Sequence, residues 1–138
     1  MLRPRIIPAL LIKDSALVKT KKFSNPKYVG DPLNAVKIYN ELKVDELLVL
    51  DIDASKNGLK PNEKLILRLA EECRMPLCYG GGVKKVEQFE KLIGLGVEKV
   101  AISSAAIENP GIINEAAKKV GSQSVVVVLD IKNETTLS

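Results

Sequence analysis

Residues 76–103 read PLCYGGGVKKVEQFEKLIGLGVEKVAIS and contain a complete structural repeat. The apolar runs Pro76 to Tyr79 and Lys99 to Ser103 lack polar alternation, which is typical of parallel strands covered on both faces. A helical pattern of apolar residues starts at Val86 and separates the two runs, and glycines end it. The stretch therefore predicts a strand, a glycine-rich turn, a helix and a second parallel strand.

The same pattern recurs on both sides of this stretch. Asp31 and Pro32 provide an N-cap and a first-turn proline for a helix, and Asn109 and Pro110 repeat that start. A further helical pattern covers Pro61 to Arg74. The order predicted for the chain is β-α-β-α-β-α-β-α-β, and its other strands are Arg5 to Ile12, Glu46 to Ile52 and Ser124 to Ile131.

Two architectures fit this alternation of strands and crossover helices. A doubly wound open sheet suits 138 residues, whereas an eight-stranded βα-barrel needs about 250 residues. Length alone favours the open sheet. The residues at the strand ends favour the barrel.

Composition excludes several kinds of chemistry. The chain has no histidine, so it can form neither a Ser-His-Asp triad nor a His-ligated zinc site. We interpret Cys73 and Cys78 as reduced core residues, because their spacing fits neither a redox motif nor a disulfide framework. Asp51 and Asp53 fall on opposite faces of a continued strand, so no metal site is predicted, and no cofactor is expected.

Charge and hydropathy point to the cytoplasm. The net charge of +4 is mild, and five aromatic residues with basic side chains scattered along the chain argue against nucleic-acid binding. No signal peptide or membrane-length apolar run is found, so no membrane partner is expected. The run Lys19 to Lys22 is interpreted as a solvated loop.

Polar residues collect where the predicted strands end, which is where parallel α/β folds bind ligands. Gly80-Gly81-Gly82 lets backbone N–H groups approach an anion, and Ser103 and Ser104 add hydroxyl donors, so a phosphate site is one interpretation. A simple tight turn is the other. Asp51 and Asp130 could contact substrate or transfer protons, because desolvation raises a carboxyl pKa; a helix cap for Asp51 and solvation for Asp130 are the alternatives.

Charged residues occupy the opposite ends of the strands. Arg5, Glu46 and Lys99 open predicted strands one, two and four. In a closed barrel they would meet as a ring of ion pairs on the N-terminal face. An ordinary solvated rim explains them equally well.

Nine short segments, taken together in their order and spacing, point to a known family. They are Arg5-Ile6-Ile7, Lys13-Asp14, Val18-Lys19, Gly30-Asp31-Pro32, Asp45-Glu46-Leu47, Leu50-Asp51-Ile52, Gly80-Gly81-Gly82-Val83, Ala105-Ala106 and Gly121-Ser122-Gln123. Together they resemble the cyclase subunit of imidazole glycerol phosphate synthase. This family folds as a (β/α)8 TIM barrel, so the resemblance implies a truncated barrel of about four and a half βα units with parallel strands. Residues 1–132 would form this half-barrel domain and residues 133–138 a polar tail.

The resemblance also implies a function. The family takes ammonia from a glutaminase partner and forms imidazole glycerol phosphate and an aminoimidazole carboxamide ribotide, a carbon-nitrogen lyase reaction of histidine biosynthesis. Its substrate is a phosphorylated small molecule. The implied roles are phosphate binding for Gly82, Ser103 and Ser104, a mobile first loop for Lys19, catalysis for Asp130, an ammonia gate for Arg5, Glu46 and Lys99, and glutaminase contact for Glu98.

Two features depart from that family. Leu11 stands where the family has its first catalytic aspartate, which should cost on the order of 10² to 10⁴ in rate, and Pro8 removes a ladder N–H from strand one. With the loop Asn25 to Gly30, these residues resemble a divergent branch linked to sugar amidation in surface-polysaccharide biosynthesis, whose barrel conducts ammonia without cyclising.

The chain also stops where the family continues through further strands. An open half-barrel exposes strand edges and apolar interior, so a homodimer or a poorly soluble product is expected. An inactive fragment of a longer gene product is the third hypothesis, which the DNA after codon 138 would test.

Overall fold

The computed structural model describes residues 4–21, 24–103 and 109–128. These residues form one seven-stranded sheet with five helices. The strands are β1 (Ala9–Lys13), β2 (Ala16–Lys21), β3 (Ser24–Gly30), β4 (Leu47–Asp51), β5 (Leu77–Gly80), β6 (Lys99–Ser103) and β7 (Val125–Val128); the helices are α1 (Pro32–Leu42), α2 (Ile52–Asn57), α3 (Glu63–Glu72), α4 (Val86–Gly94) and α5 (Gly111–Val120).

The order of the strands decides between the two predicted architectures. The sheet runs β3-β2-β1-β4-β5-β6-β7, and β1, β4, β5, β6 and β7 are parallel neighbours. The parallel strands of a doubly wound sheet reverse their direction of growth at a switch point, whereas the parallel strands here follow one another in chain order from β1 to β7. The doubly wound alternative is therefore wrong, and the five parallel strands have the winding of a βα-barrel, of which they form about half.

The helices α1, α3, α4 and α5 lie beside one another in sequence order, and α2 packs against β1 instead. The helix α1 packs on α3 and α4 packs on α5, and the ion pairs Glu63–Lys91 and Glu90–Lys119 join α3 to α4 and α4 to α5. Right-handed crossovers between successive parallel strands place their helices on the same face of the sheet.

The main core lies between this helical layer and the outward side chains of the strands. Leu47 and Val49 of β4, Phe89 of α4 and Leu69 of α3 are completely buried there. Residues that alternate with them point to the other face. Register aligns that inner face in layers, which are Ala9, Leu48, Cys78 and Lys99 in the first and Leu11, Leu50, Gly80, Ala101 and Val126 in the second.

An antiparallel hairpin is the main departure from the sequence-based prediction of exclusively parallel strands. The strands β2 and β3 occupy the stretches interpreted as loops, including Lys19–Lys21 and residues 25–30. A two-residue turn at Asp14 and Ser15, both with positive φ, reverses the chain after β1. This turn geometry favours glycine. Because neither turn residue is a glycine, the sequence pattern did not predict the hairpin.

Several predicted strand ends are also wrong. The first strand begins at Ala9 rather than Arg5, so Pro8 precedes the strand, where its carbonyl accepts a hydrogen bond from the Leu48 N–H. The strand β4 begins at Leu47 rather than Glu46 and ends at Asp51, because α2, which was not predicted, begins at Ile52. The last strand begins at Val125, and its predicted continuation to Ile131 lies outside the described residues.

Other local predictions are confirmed. The Asp31 side chain caps α1 by accepting from the Leu33 N–H, with Pro32 at the first helical position. Both cysteines are free thiols: Cys78 is buried and Cys73 packs against the core. Burial raises the pKa of each thiol to about 11, so neither is a reactive thiolate at neutral pH.

Candidate functional site

A cleft opens where β5 and β6 end. The space enclosed by its walls is about 20 Å³, and the rest of the cleft is open to solvent. Its walls come from the connections after β4 and β5 and from the end of β6, which is the position expected for a ligand site in this fold. The lining residues are Ala54, Gly81, Gly82, Val83, Lys84, Ala101, Ile102 and Ser103.

Close packing requires the glycines of the loop after β5. Gly81 and Gly82 have φ values of +134° and +74°. A Cβ on Gly82 would lie 2.0 Å from the Leu59 carbonyl oxygen, and one on Gly81 would lie 2.7 Å from the Asp51 carbonyl oxygen. The tight-turn interpretation is therefore confirmed. Phosphate binding stays a prediction, and the cleft brings Gly82 and Ser103 together as that prediction requires.

Two side chains hold this loop from outside the cleft. The Tyr79 hydroxyl donates to the Gly81 carbonyl at 3.1 Å, from a side chain that is 1% exposed. Gln88 Nε2 donates to the Gly82 carbonyl at 3.3 Å, and Gln88 Oε1 accepts from the N–H groups of Lys84 and Lys85. These bonds fix successive peptide groups of the loop.

Asp51 acts as a helix cap. Its Oδ1 accepts from the N–H groups of Asp53 at 3.1 Å and Ala54 at 2.9 Å, which starts α2 and places Ala54 in the cleft wall. Burial raises the pKa of the Asp51 carboxyl, although the two N–H donors oppose the shift. The capping alternative is confirmed, and contact of Asp51 with substrate stays a prediction.

A cluster of charges lies at the opposite ends of the strands. Glu46 Oε1 is 2.7 Å from Arg5 Nη2 and 2.9 Å from Lys99 Nζ. The Glu46 side chain is 13% exposed, and its bond to Lys99, aided by Arg5, lowers its pKa despite desolvation. We call Arg5, Glu46 and Lys99 the basal cluster.

The backbone next to Arg5 explains how it reaches the basal cluster without belonging to a strand. The Ile6 N–H donates to the Asp45 carboxylate at 2.7 Å, and the Asp45 N–H donates to the Ile6 carbonyl at 3.0 Å. This paired contact ties the segment before β1 to the residue that precedes Glu46. Glu98 lies beside the cluster in sequence, is exposed, and donates its N–H to the Leu77 carbonyl.

The inner face of the sheet separates the basal cluster from the cleft. Apart from Lys99 of the basal cluster, its two layers carry aliphatic side chains, a thiol and a glycine, and Leu11 belongs to the second layer. Within the described strands, no carboxylate lies between the two charged and polar ends on this face.

The other predicted site residues are dispersed or lie outside the description. Lys19 is an exposed residue of β2, in register with Lys27, and does not line the cleft. Ser104 and Asp130 lie outside the described residues. Sequence reasoning missed Lys84, Tyr79 and Gln88; only Gln88 had a signal, its position as the third residue of a helix.

Two further features are absent from the described residues. No group of three or more histidine, cysteine or acidic side chains is arranged to hold a metal. No helix in the described part of the chain has the length and apolar character needed to cross a membrane.

Comparison with known proteins assigns the family. Residues 5–138 match the family model described as histidine biosynthesis protein. The chain is 63% identical over 132 residues to "Putative imidazole glycerol phosphate synthase subunit hisF3" of Vibrio vulnificus, with 96% of this chain and 51% of the relative covered. It is 60% identical to the subunit of the corresponding name, "Putative imidazole glycerol phosphate synthase subunit HisF", from Leptospira borgpetersenii, with 96% and 52% covered.

A relative whose name lacks the word "Putative" is less similar to this chain. "Imidazole glycerol phosphate synthase subunit HisF" of Streptococcus mutans is 40% identical over 134 residues, with 97% of this chain and 53% of the relative covered. The chain thus spans about half the length of the curated relatives it matches. The match over residues 5–138, together with the barrel-type winding, shows that the chain belongs to the histidine biosynthesis protein family.

Proposed function

We propose that this chain provides the ammonia entrance and one phosphate site of an ammonia-using synthase subunit that works with a glutaminase. The observation that carries the proposal is the basal cluster, in which one Glu46 oxygen binds Arg5 and Lys99 at the end of the sheet opposite the cleft. Ammonia that enters at one end of the inner face would reach a substrate bound at the other end of the same face.

Charge supports passage of neutral ammonia through the basal cluster. Glu46 is ionised at neutral pH, and its one negative charge is outweighed by the two cations Arg5 and Lys99, so the basal cluster as defined carries a net positive charge. A cationic constriction repels ammonium but not ammonia. The aliphatic layers beyond it offer a charged species no compensation for lost hydration.

The first candidate reaction is the cyclase reaction of histidine biosynthesis. The names of the relatives from Streptococcus mutans and Vibrio vulnificus support it. In this reaction ammonia converts a phosphoribosyl-formimino intermediate into imidazole glycerol phosphate and an aminoimidazole carboxamide ribotide. We assign the phosphate contacts to Gly82, Ser103 and Ser104, a loop contact to Lys19, and proton transfer to Asp130. The reaction would take place in the cytoplasm.

The second candidate is an ammonia-conducting subunit that does not cyclise, as in sugar amidation for surface polysaccharides. Leu11 favours it, because the second inner layer has an aliphatic side chain where paired acid-base catalysis would need a titrating group. The basal cluster serves both candidates equally. They differ in whether chemistry takes place at the strand ends.

An ammonium-dependent assay separates the two candidates. The chain is supplied with a polypeptide that provides the remaining half of its relatives' length, the phosphorylated ribonucleotide and ammonium salt. Product formation by the wild-type chain supports the cyclase. Product formation by Leu11→Asp but not by the wild-type chain supports the conducting subunit. Absence of product in both proteins overturns the cyclase candidate.

Stimulation of a glutaminase tests the partner and the entrance. With the same complementary polypeptide present, the chain should raise glutamine hydrolysis by the glutaminase, and the charge reversals Lys99→Glu and Glu98→Lys should remove the effect. Glu87→Lys is the matched control, because Glu87 is exposed on α4, away from the basal cluster. If the reversals leave the stimulation unchanged, the proposed interface is wrong.

Self-association through β7 is a further part of this proposal. Within the described sheet β7 pairs with β6 and is the last strand, and Val127 on it is 38% exposed. An accessible strand edge with apolar side chains favours pairing with a second copy. Sedimentation of the chain should show a dimer, and a monodisperse monomer would contradict this.

A further inference from the structure

The loop that forms the floor of the cleft is held by a buried hydroxyl outside it. Tyr79 is the third residue of β5 and belongs to the core between the sheet and the helices, where it is 1% exposed. Its hydroxyl reaches past the end of its own strand to the Gly81 carbonyl, two residues on. Tyr79 does not line the cleft, whereas Gly81 and Gly82 do.

Peptide geometry carries the effect of this bond across the loop. The carbonyl of Gly81 and the N–H of Gly82 belong to one planar peptide group and, because no described peptide bond is cis, point in opposite directions. A carbonyl held toward the buried Tyr79 hydroxyl therefore directs the Gly82 N–H away from the core. Gln88 holds the Gly82 carbonyl and fixes the Val83 N–H in the same manner.

We infer that Tyr79 is a positioning residue that presets the Gly82 N–H for an oxyanion of a phosphate group. This inference rests on the proposed phosphate site and adds the cause of its geometry. Glycine at 81 and 82 makes the conformation accessible, but glycine also has the largest conformational freedom of any residue. A preset N–H avoids ordering the loop when the anion binds, which increases affinity.

The protonation state of Tyr79 supports the same role. Burial and the nearby negative charge of Asp51 raise the pKa of the hydroxyl well above its usual range. The hydroxyl therefore remains protonated and can only donate toward the carbonyl of Gly81 at any working pH.

Titration with inorganic phosphate tests the inference. The ¹H–¹⁵N signal of Gly82 is followed at constant ionic strength in the wild-type chain, in Tyr79→Phe and in Tyr39→Phe. Tyr39 is a partly buried core tyrosine of α1, so its variant controls for the loss of one hydroxyl. We expect phosphate to bind about three- to tenfold more weakly to Tyr79→Phe, the equivalent of one hydrogen bond, and unchanged to Tyr39→Phe.

The outcomes separate the inference from the proposed function. Failure of the wild-type chain to shift its Gly82 signal overturns the phosphate site, and the inference with it. Binding to the wild type and equal binding to both variants, each folded by circular dichroism, overturns the inference alone. Should Tyr79→Phe not fold, the Gly82 N–H order parameter of the wild type without phosphate decides: about 0.85 is expected, and a value below about 0.6 contradicts a preset loop.

Discussion

Lys99 Nζ lies 2.9 Å from Glu46 Oε1, although the two residues are 53 positions apart in the chain. The same oxygen is 2.7 Å from Arg5. A single carboxylate oxygen thus ties β6 and the segment before β1 to the start of β4. The contact holds this end of the sheet together.

Substitution of Glu46 should weaken this end of the sheet. Glu46→Gln leaves Arg5 and Lys99 without an ionised acceptor, and we expect the free energy of unfolding to fall by about 1.5 to 3 kcal/mol at pH 7, the range for hydrogen bonds to charged groups. Urea unfolding measures the change. The matched control is Glu90→Gln, whose partner Lys119 is 3.8 Å away in an exposed pair; a loss of under about 0.5 kcal/mol is expected there.

The contribution of Glu46 should depend on pH in a defined direction. Its pKa is lowered from the ordinary value of 4.5, so the unfolded chain binds this proton more readily than the folded chain. The stabilisation is therefore complete above about pH 4.5 and is lost as the pH falls through the lower value of the folded state. The difference between wild type and Glu46→Gln should shrink below pH 4.5, and a constant difference would contradict this account.

Two substitutions of Asp51 should separate helix capping from ionisation. Asn is as good an N-cap as Asp, whereas Asp51→Ala removes both bonds to the start of α2 and should cost about 1 to 2 kcal/mol. Because burial raises the pKa of Asp51 from 3.8, its protonated form stabilises the fold below that pH, and the benefit is lost as the pH rises through the folded value. Asp51→Asn should remove this dependence, measured by thermal unfolding between pH 3 and 7.

Asn40 joins two helices through main-chain groups. It is 9% exposed, donates from Nδ2 to the Glu72 carbonyl at 2.9 Å, and accepts at Oδ1 from the Arg74 N–H at 3.0 Å. Asn40→Ala leaves both main-chain groups without these partners and should lower the free energy of unfolding by about 2 kcal/mol. Asn34→Ala, at an exposed position of the same helix, should change it by less than about 0.5 kcal/mol. Equal effects in denaturant titrations would refute the bridging role.

Two glycines should respond in opposite ways to a methyl group. At Gly82 the added Cβ would meet the Leu59 carbonyl oxygen at 2.0 Å with φ at +74°, so Gly82→Ala should destabilise the fold by at least about 1 kcal/mol and weaken phosphate binding. At Gly94, the last residue of α4, nothing lies within 4 Å of the added atom. Gly94→Ala should stabilise the chain by about 0.5 to 1 kcal/mol without changing phosphate affinity. Thermal unfolding and phosphate titration of both variants provide the comparison.

Most of the parallel framework was predictable, because burial on both faces leaves a periodic record in the sequence. The strand β6 was predicted at its observed bounds and α4 at its observed start. The hairpin of β2 and β3 was not, since its turn uses Asp14 and Ser15 in a conformation that sequence patterns associate with glycine. The helix α2 was missed because a six-residue helix is too short to show a period.

The sequence by itself determined the alternation of strands and helices, the glycine loop and the charges that flank the strands, because these follow from local composition and spacing. Only the tertiary structure decided that the strands wind in one direction, that Glu46 serves two cations with one oxygen, and that Tyr79 fixes the Gly81 peptide. These features depend on the relative placement of distant segments and on the direction of single polar bonds. The placement of distant segments and the direction of a single bond produce no periodic pattern in the sequence. A single hydrogen bond involves one or two residues, and it does not recur along the chain.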